Sequence, residues 1–307
     1  MKSKKILFFG NERLATGVTT KTPLLTSLVD AGYEIAAIVT TPQKDNPSRQ
    51  PRQLEVATFA KDHNIPLLEI NSLKTEIDKL KQYEASIGVL AAYGKIVPQE
   101  VIDILPNGIV NLHPSLLPKH RGPTPIESVI LTGETLTGVS LMKLVATMDA
   151  GPVFDQTVIE LTGHEDKQYL ADKLGEIGAD RLIKLLPDIL NGQLEPKKQN
   201  ESLATYDVKI SQVDSRLDFT KAASLLSREI RAFYNWPRSR ASLNGQSITI
   251  TQAHADNTVH CLNPGQIWHN DSLFGFETGS GVLVIDKLIP AGSKEMSSAD
   301  YLRGHKL

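Results

Sequence analysis

The chain has 307 residues, 40% of them hydrophobic and 22% charged, which is ordinary for a globular protein and long enough for two domains with a sizeable core. With 33 basic and 35 acidic side chains the formal net charge is -2, so a broadly basic nucleic-acid binder is excluded and any RNA contact must rest on a local patch. The single cysteine, Cys261, excludes an intrachain disulfide and a multi-cysteine zinc site, and points to a reducing compartment.

The apolar run behind the N-terminal lysines covers only Ile6 to Phe9, too short for a signal peptide, and no later stretch approaches a membrane span. A cytoplasmic protein without membrane contact is expected. Lys5 to Gly10 reads as a buried strand ending in a tight turn, Thr22 to Gly32 has the length of a helix, and Glu34 to Thr40 is the next strand. This βαβ unit is the usual opening of a doubly wound α/β domain. Gly10 and Gly17 do not complete a dinucleotide fingerprint, and Thr20 stands where a phosphate-binding loop needs glycine before Lys21. Pro42 to Arg52 is polar, with the cations Lys44, Arg49 and Arg52, and by composition is a solvated surface loop. A helix with Leu54, Ala57 and Ala60 on one face, an extended segment at Ile65 to Leu67, a short helix from Leu73 to Tyr83 and a buried strand from Ala85 follow. That strand runs into a turn at Tyr93-Gly94.

The run Gly108-Ile109-Val110 leads into Asn111-Leu112-His113-Pro114-Ser115-Leu116-Leu117-Pro118-Lys119-His120-Arg121-Gly122-Pro123. A second apolar run, Val139 to Val145, leads into Met148-Asp149-Ala150-Gly151-Pro152. If the two runs are neighbouring strands, both segments leave the sheet at the same edge and Asp149 can reach the His113 ring. An amide, an imidazole and a carboxylate then meet at the rim, and such a trio suits acyl chemistry. The carboxylate orients the imidazole and raises its basicity, while the amide of Asn111 can hold a developing oxyanion. Pro114, Pro118, Pro123 and Pro125 stiffen the loop. His113 and His120 match no metal-ligand spacing, so no metal is expected. Ser115 lacks a nucleophile elbow and is assigned hydrogen bonding. Arg121, at a helix entrance, is either a surface charge or a residue with a ligand role.

Val153 to Leu161 is extended, and Thr162-Gly-His-Glu165 fits a capping box that opens a long helix bearing Leu170, Leu174 and Ile177 on one face. The first domain is set at 1–190. Residues 191–206 are polar and weakly patterned and read as a linker. The second domain, 207–307, has a helix with Leu225, Leu226, Ile230 and Phe233 on one side, ended by Trp236-Pro237. An Asn244-Gly245 hairpin signal and further short strands predict a small, OB-like β-barrel. The fold class is therefore a doubly wound, mostly parallel α/β domain followed by a small barrel.

Asn-x-His-Pro-Ser-Leu-Leu-Pro, then Arg-Gly-x-x-Pro-Ile, then Met-Asp-x-Gly, resembles the folate-dependent formyltransferases, and among them the methionyl-tRNA formyltransferases. The likeness continues through Tyr206-Asp-Val-Lys209-Ile, Ile230-Arg-Ala-Phe233 with Trp236-Pro237, and Pro290 to Met296. What the resemblance implies is transfer of the formyl group of 10-formyltetrahydrofolate to the α-amine of methionyl initiator tRNA, with Asn111, His113 and Asp149 catalytic. It implies that Ser115, Leu116, Leu117 and Pro118 contact the folate and that Tyr93 and Gly94 border its pterin. It also implies tRNA phosphate contacts by Lys44, Arg49, Arg52 and Lys209, in a protein expected to be a monomer. Relatives that formylate an amino sugar or a purine precursor, or hydrolyse the formyl-folate, are the alternatives, as is an RNA-binding module with a decayed first domain.

Overall fold

The computed structural model describes residues 5–42, 54–257, 262–270 and 272–305. Lys44, Arg49, Arg52 and Cys261 lie outside these described residues. Two compact units are present. The first comprises Met1–Ile126, Thr135–Leu161 and Gln168–Val208; the second comprises Glu127–Glu134, Thr162–Lys167 and Lys209–Leu307.

In chain order the first part of the molecule runs β1 (Lys5–Gly10), α1 (Pro23–Asp30), β2 (Glu34–Thr40), α2 (Glu55–Asp62), β3 (Leu67–Glu69), α3 (Ile77–Lys81), β4 (Ile87–Ala91), α4 (Gln99–Asp103), β5 (Ile109–His113), α5 (Pro125–Thr132), β6 (Leu136–Lys143), β7 (Val153–Glu160) and α6 (Lys167–Asn191). The seven strands form one sheet in the order β3-β2-β1-β4-β5-β6-β7. β1 to β5 pair in parallel, and β6 and β7 are antiparallel additions. Strands β1 and β4 are apolar without alternation because a parallel sheet is covered on both faces. Leu7, Phe9, Val39, Leu90, Tyr93, Val101, Leu105 and Ile109 belong to one buried cluster of this sheet. Elsewhere α6 lies so close to β5 that a Cβ on Gly178 would sit 2.1 Å from Leu112 Cδ1. The order of strands reverses between β1 and β4, the place in an open α/β sheet where ligands settle beyond the carboxyl ends.

One local reading changes. Half of the predicted capping box forms: the Glu165 carboxylate takes the Thr162 N–H at 2.8 Å and the Gly163 N–H at 3.0 Å, while the Thr162 hydroxyl accepts the His164 N–H and not that of Glu165. The helix itself starts two residues later, at Lys167. Lys167, fully buried, donates to the Trp236 carbonyl at 2.6 Å and lies 3.6 Å from the buried Glu127 carboxylate. Desolvation lowers its pKa, and Glu127 partly opposes that.

The second unit contains α7 (Ala223–Ala232), β8 (Ser239–Leu243), β9 (Gln246–Asp256), β10 (Ile267–His269), β11 (Phe274–Glu277), β12 (Val282–Pro290), β13 (Met296–Ser297) and α8 (Ser298–Gly304). Its antiparallel sheet has the order β10-β11-β12-β9-β8, with β13 paired to β12. It is a curled sheet, a half-barrel in keeping with an OB-like domain. The β8–β9 hairpin turns on Asn244 and Gly245 with φ of 48° and 78°, the two left-handed residues that a type I′ turn requires. Leu226 and Ile230 of α7 join Phe274, Phe276, Leu283, Ile285 and Leu288 in the core of this unit. No helix among the described residues is long and apolar enough to cross a membrane.

Candidate active site

His113 is the last residue of β5, and Asn111, two positions earlier, shares its face of the sheet because side chains alternate along a strand. Both are 5% exposed. The ring of His113 is fixed on one side: Nε2 lies 2.9 Å from the His120 carbonyl oxygen. A carbonyl can only accept, so Nε2 carries a proton and the neutral ring has its lone pair on Nδ1. Nδ1 lies 3.7 Å from Asp149 Oδ1, an approach too long for a hydrogen bond but short enough for strong attraction once the ring is protonated.

Asp149 reaches this position by a different route from the one expected. β6 runs antiparallel to β5, with His113 opposite Ser140 and Val110 opposite Lys143. The two segments therefore leave the strand pair at opposite ends, and the 144–152 loop has to return along it. Leu144 N–H donates to the Ile109 carbonyl and Lys143 N–H to the Pro152 carbonyl, both at 2.8 Å, which holds that loop down. Gly151 is packed so tightly that a Cβ there would stand 1.9 Å from the Lys143 carbonyl oxygen. Asp149 itself takes a left-handed φ of 49°. Its other carboxylate oxygen, Oδ2, accepts the Gly122 N–H at 2.8 Å, so the two proline-rich segments are joined through this one side chain.

The loop behind His113 is clamped from below by two polar side chains of the added strands, neither singled out from the sequence. The Ser140 hydroxyl donates to the Ser115 carbonyl at 2.6 Å and accepts from Leu117 N–H and from Gln156 Nε2. Gln156 Nε2 also donates to the Leu117 carbonyl at 2.7 Å. A serine inside the apolar run Val139 to Met142 was the available signal. Ser115 is fully buried and its own hydroxyl donates to the Lys119 carbonyl, so it works inside the loop. Leu117 is buried, whereas Leu116 and Pro118 are half-buried. Tyr93, just past the end of β4, is 4% exposed and stands edge-on to Phe9. Its hydroxyl has no hydrogen-bond partner among the described residues, and burial pushes its pKa up to about 12. Beside it, Gly94 has a φ of 75° and open space where a Cβ would be.

Arg121 is not a surface charge. It is fully buried, and its five N–H groups go to Glu201, Gln199 and Tyr206 at 2.7 to 3.2 Å. The Glu201 bond raises its pKa further. The polar stretch read as a linker is thus bonded into the first unit. Residues 205–207 run beside 118–122, with Arg121 N–H on the Thr205 carbonyl and Asp207 N–H on the Arg121 carbonyl. His120 closes the arrangement, its backbone N–H on the Thr205 hydroxyl and its Nδ1 3.0 Å from Asp207 Oδ1. Lys209 is exposed and belongs to the other unit. Among the described residues no group of three or more His, Cys, Asp or Glu side chains is placed to hold a metal ion.

The arrangement offers a proton acceptor, a carboxylate that stabilises its protonated form and an amide on the same strand face. Comparison with known proteins agrees in class. Residues 4–186 match the formyl transferase family model and residues 209–306 match the formyl transferase C-terminal domain model. A methionyl-tRNA formyltransferase of Chloroflexus aurantiacus is 36% identical over 307 residues, covering 98% of this chain and 96% of that protein. One from Hahella chejuensis is 34% identical, covering 98% and 94%. Among solved structures, HypX from Aquifex aeolicus in complex with tetrahydrofolic acid has a TM-score of 0.67 at 18% identity, over 97% of this chain and 46% of that one. The chain thus spans about half the length of HypX. An N-formyltransferase from Helicobacter canadensis, in complex with folinic acid and dTDP-3-aminofucose, has a TM-score of 0.66 at 18% identity, over 95% and 98%. These two likenesses concern the fold alone. With both of its parts matched by the family models and full-length relatives above 30% identity, the chain belongs to the formyltransferase family, in the methionyl-tRNA branch of these one-carbon transferases.

Proposed function

We propose that this chain moves the formyl group of 10-formyltetrahydrofolate onto the α-amine of methionyl initiator tRNA, with Asn111, His113 and Asp149 at the reacting atoms. The observation that carries this reading is the state of His113, tied through Nε2 to the His120 carbonyl and turned with Nδ1 toward Asp149 at 3.7 Å. The amine nitrogen attacks the formyl carbon, and the carbonyl π pair moves onto oxygen. The amide of Asn111 donates to that oxyanion. Nδ1 of His113 takes the proton that the amine sheds, and the imidazolium so formed faces the Asp149 carboxylate. Collapse of the tetrahedral centre breaks the bond to N10 of the folate, which leaves with the proton handed back by the His113 imidazolium. A positioned general base contributes about 3 to 5 kcal/mol to such a step, and one oxyanion donor about 3 to 4 kcal/mol.

The half-buried Leu116 and Pro118 and the open backbone at Gly94 are the surfaces proposed for the folate. The nucleic-acid contact is proposed for the exposed Lys209 and for Lys44, Arg49 and Arg52, cations that suit phosphate. The test is an assay of the purified protein with 10-formyltetrahydrofolate and, separately, methionyl initiator tRNA, an amino sugar and glycinamide ribonucleotide. Formyl-methionyl-tRNA as the main product is the expected result, abolished or nearly so by Asp149→Asn. Faster transfer to a small amine, or formate release without any acceptor, would overturn the assignment of substrate. Full activity of His113→Ala would overturn the assignment of the site.

A further inference from the structure

Asp149 holds a left-handed backbone, φ 49°, in a loop that has to turn back along the strand pair to meet His113. A non-glycine residue keeps such a conformation only where its surroundings over-determine it. The carboxylate is anchored on one oxygen by Gly122 N–H. On the backbone side, the Gln199 side chain supplies the anchor: its Nε2 donates to the Asp149 carbonyl and to the Gly151 carbonyl, each at 2.7 Å. One NH2 group thereby bridges the two peptides that flank the turn. The orientation of that amide is decided by Arg121, whose Nε and Nη2 both donate to Gln199 Oε1, at 3.2 and 2.8 Å. With two donors fixed on the oxygen, the nitrogen must face the two carbonyls. Arg121 is itself clamped by the Glu201 carboxylate through both of its terminal nitrogens. None of these groups other than Asp149 belongs to the proposed reacting set.

We infer that Gln199 is a positioning residue for the reaction, setting the direction of the Asp149 carboxylate toward His113 through the Asp149 and Gly151 carbonyls, with Arg121 and Glu201 fixing the amide. This inference rests on the proposed roles of His113 and Asp149. Its particular claim is that a polar segment some fifty residues beyond Asp149 completes the active site, so that the rate depends on a side chain that touches neither substrate. A displacement of the order of one ångström in a group next to the chemistry can cost about 100-fold in rate.

The test compares Gln199→Met, which keeps the length and removes both polar ends, with Gln199→Glu, which keeps an acceptor for Arg121 but puts oxygen against the two carbonyls. At a temperature where circular dichroism shows each variant folded, kcat for formyl transfer is expected to fall about 10- to 100-fold, with KM for either substrate within about threefold. Introduced into an Asp149→Asn background, the same changes are expected to have almost no further effect on the residual turnover, because they act through that carboxylate. A purely structural role would leave the two losses multiplicative, and that outcome would overturn the inference, as would kcat near the unmutated value in both Gln199 variants. If Gln199→Met does not fold, Gln199→Glu carries the test alone, since it retains the Arg121 partner. Should Asp149→Asn and His113→Ala both leave transfer intact, the reading of the site fails and not this step alone.

Discussion

His113 faces Asp149 and His120 faces Asp207, seven residues along the same loop, yet the two pairs are built differently. In the second pair Nδ1 and Oδ1 are 3.0 Å apart and both side chains are nearly buried, so a hydrogen bond joins ring and carboxylate directly. In the first pair the separation is 3.7 Å, the ring's proton is committed elsewhere, and one carboxylate oxygen is committed to Gly122. A closed pair fixes the backbone, here by tying 118–122 to 205–207. An open pair keeps a lone pair and a charge ready for a proton. Identical residue types thus form a closed pair and an open one, the open one being the pair proposed for the chemistry, and the difference is under an ångström of separation plus the destination of the second ring nitrogen.

The contrast can be broken by removing each member. His113→Ala is expected to lower single-turnover formyl transfer by about 100- to 10,000-fold while thermal melting stays cooperative. A residual rate within tenfold of the unmutated protein would mean that the open pair has no chemical role. A third buried carboxylate, Glu12, sharpens the comparison because it has no basic partner among the described residues: both oxygens accept backbone N–H groups, of Leu24 and Leu25, and burial lifts its pKa from 4.5 to about 7. The folded state therefore holds a proton that the unfolded chain has released. That contribution is fully present below pH 4.5 and is lost as pH rises to about 7, about 3 kcal/mol in all. Urea unfolding across that range should show the decline, and Glu12→Gln should flatten it.

Opening the closed pair by Asp207→Ala leaves the buried His120 N–H without its acceptor, and the expected cost is about 1 to 3 kcal/mol of stability. Transfer activity should then fall by less than tenfold; a loss as large as that of His113→Ala would show that the closed pair also does chemistry. The smallest effect is expected from Tyr206→Phe, which deletes one of the five contacts of Arg121 from a residue that is 59% exposed. A stability change of about 1 kcal/mol or less, read from the urea midpoint, would agree with the remaining four contacts holding the guanidinium.

Much of the molecule was legible in the chain. The apolar blocks of β1, β2 and β4, the helix-length segments between them and the Asn244-Gly245 hairpin all stand where periodicity and turn chemistry put them. Asn111, His113 and Asp149 were selected by residue type and motif, and His113 and Asp149 do converge. The bonding of the stretch 191–206 into the first unit was not legible. Gln199, Glu201 and Tyr206 are polar, and a polar residue that satisfies a buried guanidinium has the same composition as one that faces water. Arg121 was ambiguous for the same reason: burial of a cation depends on partners 78 to 85 positions away.

The sequence by itself determined which segments are strands, helices and turns, because hydrophobic period and the special conformations of glycine, asparagine and proline are local properties. It also marked, by residue type and motif, Asn111, His113 and Asp149 as the side chains proposed for the chemistry. Only the tertiary structure decided that β6 runs antiparallel to β5, that the loop after it turns back to aim Asp149, and that Gln199 braces that turn. Those outcomes rest on hydrogen bonds between groups remote in the chain, whose energies depend on distance and direction that no pattern of residue types encodes.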